Sequence, residues 1–163
     1  MNRDDLLDGK SILIVDDEPD ILETLKELLS MCEVETVSSF DEAEDRLVNG
    51  RFDLTILDIM GVNGYALLEL ATEKKITAIM LTANALSPED TIKSHEKGAA
   101  YYLPKEELLN IQHHLEDVLK AQKEGKSTWW RWFDKFASFY EKKFGSDWQE
   151  KDKNYWDKFK NYY

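Results

Sequence analysis

Short apolar runs alternate with amphipathic segments from residue 11 to residue 105. Ser11–Val15 is an apolar run of strand length, and behind Pro19 leucine and isoleucine recur three or four positions apart, which predicts a helix. The same alternation continues along the chain. It predicts four further strands, each followed by a helix, at Val34–Val37, Leu54–Leu57, Ile76–Leu81 and Ala100–Leu103.

Five strand-helix units in succession indicate an α/β fold. Strands that are apolar on both faces and separated by helices form a parallel sheet with right-handed crossovers, covered by helices on both sides. Ser39 and Glu42 support this pattern locally as a capping box for a helix over Asp41–Val48 that Gly50 ends. We therefore predict a doubly wound, five-stranded parallel sheet, which binds its ligands at the carboxyl ends of the strands.

Composition narrows the range of functions. The chain has 163 residues with 33 acidic and 21 basic side chains, and the net charge of -12 disfavours binding to nucleic acid. A single cysteine, Cys32, excludes an internal disulfide framework and suits a reducing compartment. The polar, acidic start is unlike a secretory leader, and no apolar run approaches the ~18 residues of a membrane span. We expect a cytoplasmic protein.

The chain divides into two parts of different composition. The acidic surplus lies before Lys123, whereas most of the aromatic residues and all five tryptophans follow it. We predict a domain over residues 1–122, a polar linker over 123–127 and an aromatic helical extension over 128–163.

Polar side chains follow the predicted strands at the edge where a ligand is expected. Asp16 and Asp17 follow the first strand, Asp58 the third and Thr82 the fourth, and Lys105 stands just beyond the fifth. Three carboxylates at one edge raise each other's pKa unless they share a cation, and oxygen ligands favour magnesium, manganese or calcium. A hard cation, a carboxylate nucleophile, a lysine and a hydroxyl are the groups that accepting a phosphoryl group requires.

The segments that carry these side chains resemble the receiver domain of two-component response regulators, of the chemotaxis type with a single receiver. The matching stretches are ILIVDDEPDILETLKELL, FDLTILDIM, AIMLTANA and GAAYYLPKEEL, so the resemblance covers residues 9 to 122. It implies the flavodoxin-like strand order 2-1-3-4-5 and Mg²⁺ as cofactor. It also implies a sensor histidine kinase or phosphotransfer protein as donor, and a signal carried by altered contacts between proteins. The receiver is a phosphoacceptor that catalyses only its own phosphorylation and dephosphorylation.

The resemblance also assigns roles to single residues. Asp58 is the expected phosphoacceptor and a metal ligand, Asp17 a direct ligand, Asp16 a metal-site carboxylate acting through water, and the Met60 carbonyl a further ligand. Lys105 is expected to pair with the phosphoryl oxygens. Two more positions form the expected switch, in which inward movement reports phosphorylation: Thr82 and Tyr102.

Two features depart from the family's pattern. Receivers usually carry a proline four positions and a glycine eight positions after the phosphoacceptor, whereas this chain has Val62 and Gly64, which indicates a loop about two residues shorter. The family's lysine usually precedes a cis-proline, whereas here Pro104 precedes Lys105 and Glu106 follows it. A cis bond before a residue other than proline costs about 2.5 to 4 kcal/mol, so we expect that turn to differ or to be strained.

Single features of the chain have plainer interpretations. An Asp-Asp pair alone is more often a solvated helix entrance than a metal site, so the prediction depends on the combination of all five side chains. His113 and His114 lie amid polar neighbours and diverge by about 100 degrees around a helix, so we expect surface residues rather than a shared metal site. A dehalogenase-type hydrolase also uses an aspartate nucleophile, but Met60 stands where that class has its second aspartate.

Aromatic residues in the extension recur three or four positions apart, which predicts two amphipathic helices in a hairpin around Gly145, with Trp130 off the first stripe. The stripes must be covered by the receiver, each other, a second copy, another protein or a membrane surface. Docking on the receiver and a partner or homodimer surface are both favoured over a membrane. A constitutive, phosphorylation-independent scaffold remains the alternative function. The residues nominated for partner contact are Trp129, Trp132, Phe133, Phe136, Trp148 and Trp156.

Overall fold

The structure is a computed structural model that describes residues 4–83 and 88–127 together with Trp129 and Phe136. Helices and strands alternate through the described chain, as the hydrophobic pattern predicts. In chain order they are α1 (Asp4–Leu7), β1 (Ser11–Val15), α2 (Pro19–Leu28), β2 (Glu33–Val37), α3 (Phe40–Asn49), β3 (Leu54–Asp58), α4 (Gly64–Glu73), β4 (Thr77–Thr82), α5 (Pro88–Glu96), β5 (Tyr101–Pro104), a 3-10 helix (Lys105–Asn110) and α6 (Ile111–Lys123).

The five strands form one parallel sheet in the order β2-β1-β3-β4-β5. This confirms the predicted α/β class and strand order. All five residues of β3, the middle strand, are buried, because helices cover both faces of the sheet. Val15 of β1 lies level with Leu57 of β3, and Asp58 lies level with Leu81 of β4. Asp16, the residue after β1, therefore lies beside Asp58, the last residue of β3.

Local sequence signals explain where the helices begin. Ser39 caps α3 as predicted, because its Oγ accepts a hydrogen bond from the Glu42 backbone N–H at 3.3 Å and donates one to Glu42 Oε1 at 3.0 Å. The predicted start of β4 at Ile76 is one residue early. The Ile76 N–H instead donates to the Ala71 carbonyl at 2.8 Å and closes the turn after α4. The short helix α1 was not predicted.

The expectation that both histidines of α6 lie at the surface is wrong for His114. Its side chain is buried, and its Nδ1 lies 2.9 Å from the Tyr101 hydroxyl, whereas His113 is exposed. The position of His114 explains the difference, since it lies three residues after Ile111 and four before Val118, both of which are buried in the core. His114 therefore belongs to the apolar stripe of α6 and not to its polar face.

Of the extension, the structure describes Trp129 and Phe136, which are both helical and both buried against the receiver domain. The predicted hairpin and the other nominated aromatic residues lie outside the described residues. No helix among the described residues is long and apolar enough to cross a membrane.

Candidate functional site

The carboxyl edge of the sheet brings four of the predicted side chains together. Asp16 follows β1 and Asp58 ends β3, so the register of these neighbouring strands places the two residues about 5 Å apart across the sheet. Thr82 ends β4, and Lys105 follows β5 directly. Asp16, Asp58 and Thr82 are each at most 3% exposed. The predicted convergence of side chains from four separate segments is therefore present in the fold.

Lys105 is the centre of an ion-pair cluster at this edge. Its Nζ lies 2.8 Å from Asp16 Oδ2 and 3.4 Å from Asp58 Oδ1, and both carboxylates are buried. The ammonium thus compensates two carboxylates that would otherwise repel each other in a site with little solvent. The predicted pairing of Lys105 with phosphoryl oxygens remains a prediction.

Glu18 is a member of the cluster that the sequence pattern did not single out. Its Oε1 lies 2.8 Å from Lys105 Nζ, and its backbone N–H donates to Asp16 Oδ1 at 2.9 Å. Glu18 is the third acidic residue in a row and immediately precedes Pro19 at the start of α2. Its position could have been noticed in the sequence, because a residue between β1 and the first turn of α2 lies near the carboxyl end of β1.

Burial shifts the pKa of both inner carboxyl groups upward. It raises the pKa of Asp58 from 3.8 to about 7, and the charges of Asp16 and Asp17 add to this effect while Lys105 opposes it. Burial also raises the pKa of Asp16, against the effects of Lys105 and of the Glu18 backbone N–H. The site therefore holds more negative charge near neutral pH than Lys105 alone neutralises.

The pKa of Lys105 is shifted in the direction that keeps it charged. Burial acts to lower this pKa, but the contacts with Asp16 and Glu18 and the charge of Asp58 outweigh it and raise the pKa above the usual 10.5. Lys105 therefore remains an ammonium ion at any physiological pH. It acts here as a fixed positive charge and not as a proton donor.

The acidic side chains fit a hard divalent cation. Ligand oxygens of Asp16, Asp17 and Glu18 all lie within 4.8 Å of one another. Asp16 Oδ2 is buried and, among the described residues, accepts no aligned hydrogen bond, so that its contact with Lys105 is an ion pair only. An all-oxygen set of carboxylates is the donor set that Mg²⁺ prefers. Glu18 joins Asp16 and Asp17 in this group, and ligation by Asp58 and by the Met60 carbonyl remains a prediction.

Two glycines, Gly61 and Gly64, close the loop after Asp58. Gly61 has a φ of +85°, and a Cβ there would lie 2.5 Å from Asp17 Oδ2. A Cβ on Gly64 would lie 2.2 Å from the Asp58 carbonyl oxygen, and the Gly64 N–H donates to the Ile59 carbonyl at 3.1 Å. The loop thus folds tightly back on the end of β3 and brings its backbone against both acidic residues.

Replacing Gly64 with alanine is expected to lower the free energy of unfolding by about 2 kcal/mol, because the added methyl group overlaps the Asp58 backbone and one of the two must move. Gly9→Ala is the matched control. Gly9 has a φ of +74° with no atom within 4 Å of the added Cβ, so only backbone strain of about 1 kcal/mol is expected there. Urea unfolding of both variants measures the difference. A smaller loss at position 64 than at position 9 would contradict the close packing of this loop.

The remaining predicted residues lie near the site in different environments. The side chain of Met60 is 65% exposed, beside the loop glycines, and its predicted contribution is a backbone carbonyl. Tyr102 lies in β5, level with Met80 of β4, and its ring is fully buried. The predicted turn at Lys105 does differ from one with a cis-proline. Among the described residues there is no cis peptide bond, and a 3-10 helix begins at Lys105.

The chain is similar in sequence to known proteins over most of its described residues. The sequence model of the response regulator receiver domain matches residues 12–116. A two-component response regulator of Arabidopsis thaliana is 33% identical over 117 residues, which cover 66% of this chain and 18% of that protein. One of Oryza sativa subsp. indica is 36% identical over 124 residues, which cover 69% of this chain and 18% of that protein. The chain thus spans less than a quarter of the length of these curated relatives.

Solved structures show the same fold. The CheY-like response regulator receiver domain protein of Methanospirillum hungatei superimposes with a TM-score of 0.65 at 29% identity, and the match covers 72% of this chain and 98% of that one. A response regulator of Thermotoga maritima, an OmpR/PhoB homologue, gives a TM-score of 0.62 at 25% identity, with coverage of 73% and 55%. In both cases the match covers about as much of this chain as its parallel sheet and helices do.

Proposed function

This chain belongs to the response regulator receiver family of two-component signalling, and on that premise we propose that it accepts a phosphoryl group on Asp58 from a histidine kinase or phosphotransfer protein. The observation that carries the proposal is the contact of Lys105 with both Asp16 and Asp58 at the carboxyl edge of the sheet. A carboxylate that is buried, paired with a fixed cation and adjacent to further acidic side chains is a nucleophile held ready for a phosphoryl group.

The transfer exchanges one bond at phosphorus for another. A carboxylate oxygen of Asp58 attacks the phosphorus of a phosphohistidine, the new O–P bond forms as the P–N bond breaks, and the histidine nitrogen leaves with the electron pair. The product is an acyl phosphate on Asp58. Lys105 offsets negative charge on the phosphoryl oxygens, and the buried hydroxyl of Thr82 lies on the adjacent strand end as a donor to one of them.

Asp16, Asp17 and Glu18 would hold Mg²⁺, and the bound ion would supply positive charge for the phosphoryl oxygens and for the repelling carboxylates. Hydrolysis of the acyl phosphate by water at the same site returns the receiver to its starting state. The chain in this account catalyses its own phosphorylation and dephosphorylation and turns over no separate substrate. Phosphorylation then changes the contacts of the receiver with other proteins, through Thr82 and Tyr102 as the switch pair.

Incubation with Mg²⁺ and a small-molecule phosphodonor is expected to add the mass of one phosphoryl group to the intact protein. Asp58→Asn is the matched control, since it keeps the size of the side chain and removes the nucleophile. The adduct is expected in the parent protein and absent from the variant, and a chelator should abolish it. An unmodified parent protein under saturating Mg²⁺ would reject the proposal and favour the phosphorylation-independent scaffold.

A further inference from the structure

Two aromatic side chains of the C-terminal extension are buried on one face of the receiver domain. Trp129 is 3% exposed and Phe136 is 5% exposed, although both follow the last helix of the receiver. They contact α5, the segment just before β5, and α6. This α5–β5–α6 face lies at the edge of the sheet, because β5 is the last strand in the sheet order.

The turn after α6 directs the chain onto this face. The Lys126 N–H donates to the Ala121 carbonyl at 2.8 Å, and the N–H of Gly125, which has a φ of +70°, donates to the Gln122 carbonyl at 3.1 Å. This pair of bonds ends a helix and reverses the chain. Ser127 Oγ then accepts the Trp129 N–H at 3.2 Å, in the manner of a helix N-cap. Trp129 is therefore placed by a defined local structure.

Trp129 makes a directional contact as well as an apolar one. Its indole Nε1 donates to the Ala99 carbonyl at 2.9 Å, just before β5 begins. Its ring meets the His95 ring of α5 edge to face, with 5.0 Å between the centroids. The indole thus binds a backbone oxygen beside an edge strand, which is the part of a sheet that otherwise presents open backbone groups to other chains.

Phe136 covers the histidine that the sequence pattern placed at the surface. Its ring stacks on His114 with 6.1 Å between centroids and 23° between planes, and His114 Nδ1 lies 2.9 Å from the Tyr101 hydroxyl. Trp129 and Phe136 are seven positions apart, which is two helical turns. Both rings therefore pack on the receiver near the start of β5.

Strand β5 connects this covered face to the phosphoacceptor site. Tyr101 begins the strand and contacts His114, and Lys105, which follows the strand about 13 Å further on, contacts Asp58. We propose that Trp129 and Phe136 of the C-terminal extension act as an internal ligand of the α5–β5–α6 face, and that phosphorylation of Asp58 weakens their docking through β5. This inference rests on the proposed function.

Phosphorylation is expected to weaken docking because the two aromatic side chains are docked on the unphosphorylated state of the receiver. Trp129 and Phe136 pack on the receiver with Lys105 bound to Asp16, Glu18 and Asp58, an arrangement that a phosphoryl group on Asp58 must change. A ligand that fits one state better is released when the other is stabilised, and the coupling is reciprocal. Removing the docked contact must therefore make the phosphorylated state more favourable by the same free energy.

The first test follows the indole N–H of Trp129 by ¹⁵N–¹H NMR on the full chain, with the signal assigned through Trp129→Phe. Mg²⁺ with beryllium fluoride, a phosphoryl mimic, is expected to speed exchange of this proton with water at least about fivefold, within the range typical of allosteric coupling. Asp58→Asn should show no change. Unchanged exchange in a protein whose Asp58 and Gly64 backbone signals shift with the mimic would overturn the coupling. If those signals also stay unchanged, the proposed function itself fails and the inference with it.

The second test measures the affinity of the receiver for beryllium fluoride in the presence of Mg²⁺, which is a binding equilibrium. Trp129→Ala is expected to bind the mimic about fivefold more tightly, and the more conservative Trp129→Phe to show a smaller gain. Trp130→Ala, a tryptophan whose position lies off the predicted stripe, is the matched control and should keep the parent affinity. Equal affinities in Trp129→Ala, Trp130→Ala and the parent, with all three folded by circular dichroism, would overturn the proposal.

Discussion

Asparagine in place of Asp58 is expected to raise the free energy of unfolding of the Mg²⁺-free protein by about 3 kcal/mol at about pH 8. The reason is the pKa of Asp58, which burial and the charge of Asp16 raise from 3.8 to about 7 in the folded protein. A pKa difference of one between the folded and unfolded states corresponds to about 1.4 kcal/mol, and relaxation of the site around the charge reduces the total from about 4 to about 3 kcal/mol. Between about pH 4 and pH 7 the folded state binds the extra proton, so stability falls as pH rises through this window and levels off above it.

Urea unfolding at a series of pH values, with a chelator present, measures this effect. The parent protein and Asp58→Asn should have similar stability at about pH 4 and diverge as the pH rises. Mg²⁺ should then stabilise the parent protein more than the variant at about pH 8, because the cation relieves the repulsion that the variant no longer has. A constant difference between the two proteins at all pH values would show that Asp58 is ionised normally.

Methionine in place of Lys105 is expected to lower the free energy of unfolding by about 4 kcal/mol at about pH 8. The substitution keeps most of the side-chain volume but leaves the buried carboxylates of Asp16 and Asp58 without their cation, and breaking a buried pair in this way typically costs about 3 to 5 kcal/mol. The loss should shrink toward about pH 5, because Asp58, whose pKa is raised to about 7, is protonated there and no longer needs a cation.

Glu18→Gln is the matched control for Lys105→Met. Glu18 also contacts the Lys105 ammonium, but its side chain is 54% exposed, so the loss of this pair should change stability by less than about 1 kcal/mol. Phosphorylation should fall steeply in Lys105→Met, since a phosphoryl group on Asp58 would lack the positive charge that lies beside it. Equal losses of stability in the two variants would show that Lys105 acts as a packing side chain and not as a buried cation.

The fold and the members of the site could be predicted because both depend on short-range patterns. Apolar runs of strand length placed the ends of all five strands within one residue, and parallel strands bring their carboxyl ends to one edge by geometry alone. Asp16 and Asp58 therefore had to meet once the strands were recognised. The capping box at Ser39 was predictable for a similar reason, because its two partners are three residues apart.

The features that escaped prediction depend on contacts between distant parts of the chain. His114 is buried in contact with Tyr101 and Phe136, which are distant from it in sequence, although its position on the stripe of α6 was visible in the sequence. Glu18 reaches Lys105 across 87 positions of sequence, so its spacing could not reveal the pair. Trp129 was nominated equally for partner contact and for docking on the receiver, and its bond to the Ala99 carbonyl supports docking.

The role of Asp58 is tested most sharply by locating the phosphoryl group on the chain. Borohydride reduces an acyl phosphate on aspartate to homoserine, and peptide mass spectrometry then identifies the modified residue. After treatment with Mg²⁺ and a phosphodonor, we predict homoserine at position 58 and its absence when a chelator replaces Mg²⁺. Homoserine in place of Asp16 or Asp17 instead, or none at any position in Mg²⁺-saturated protein, would contradict the assignment of Asp58 as the phosphoacceptor.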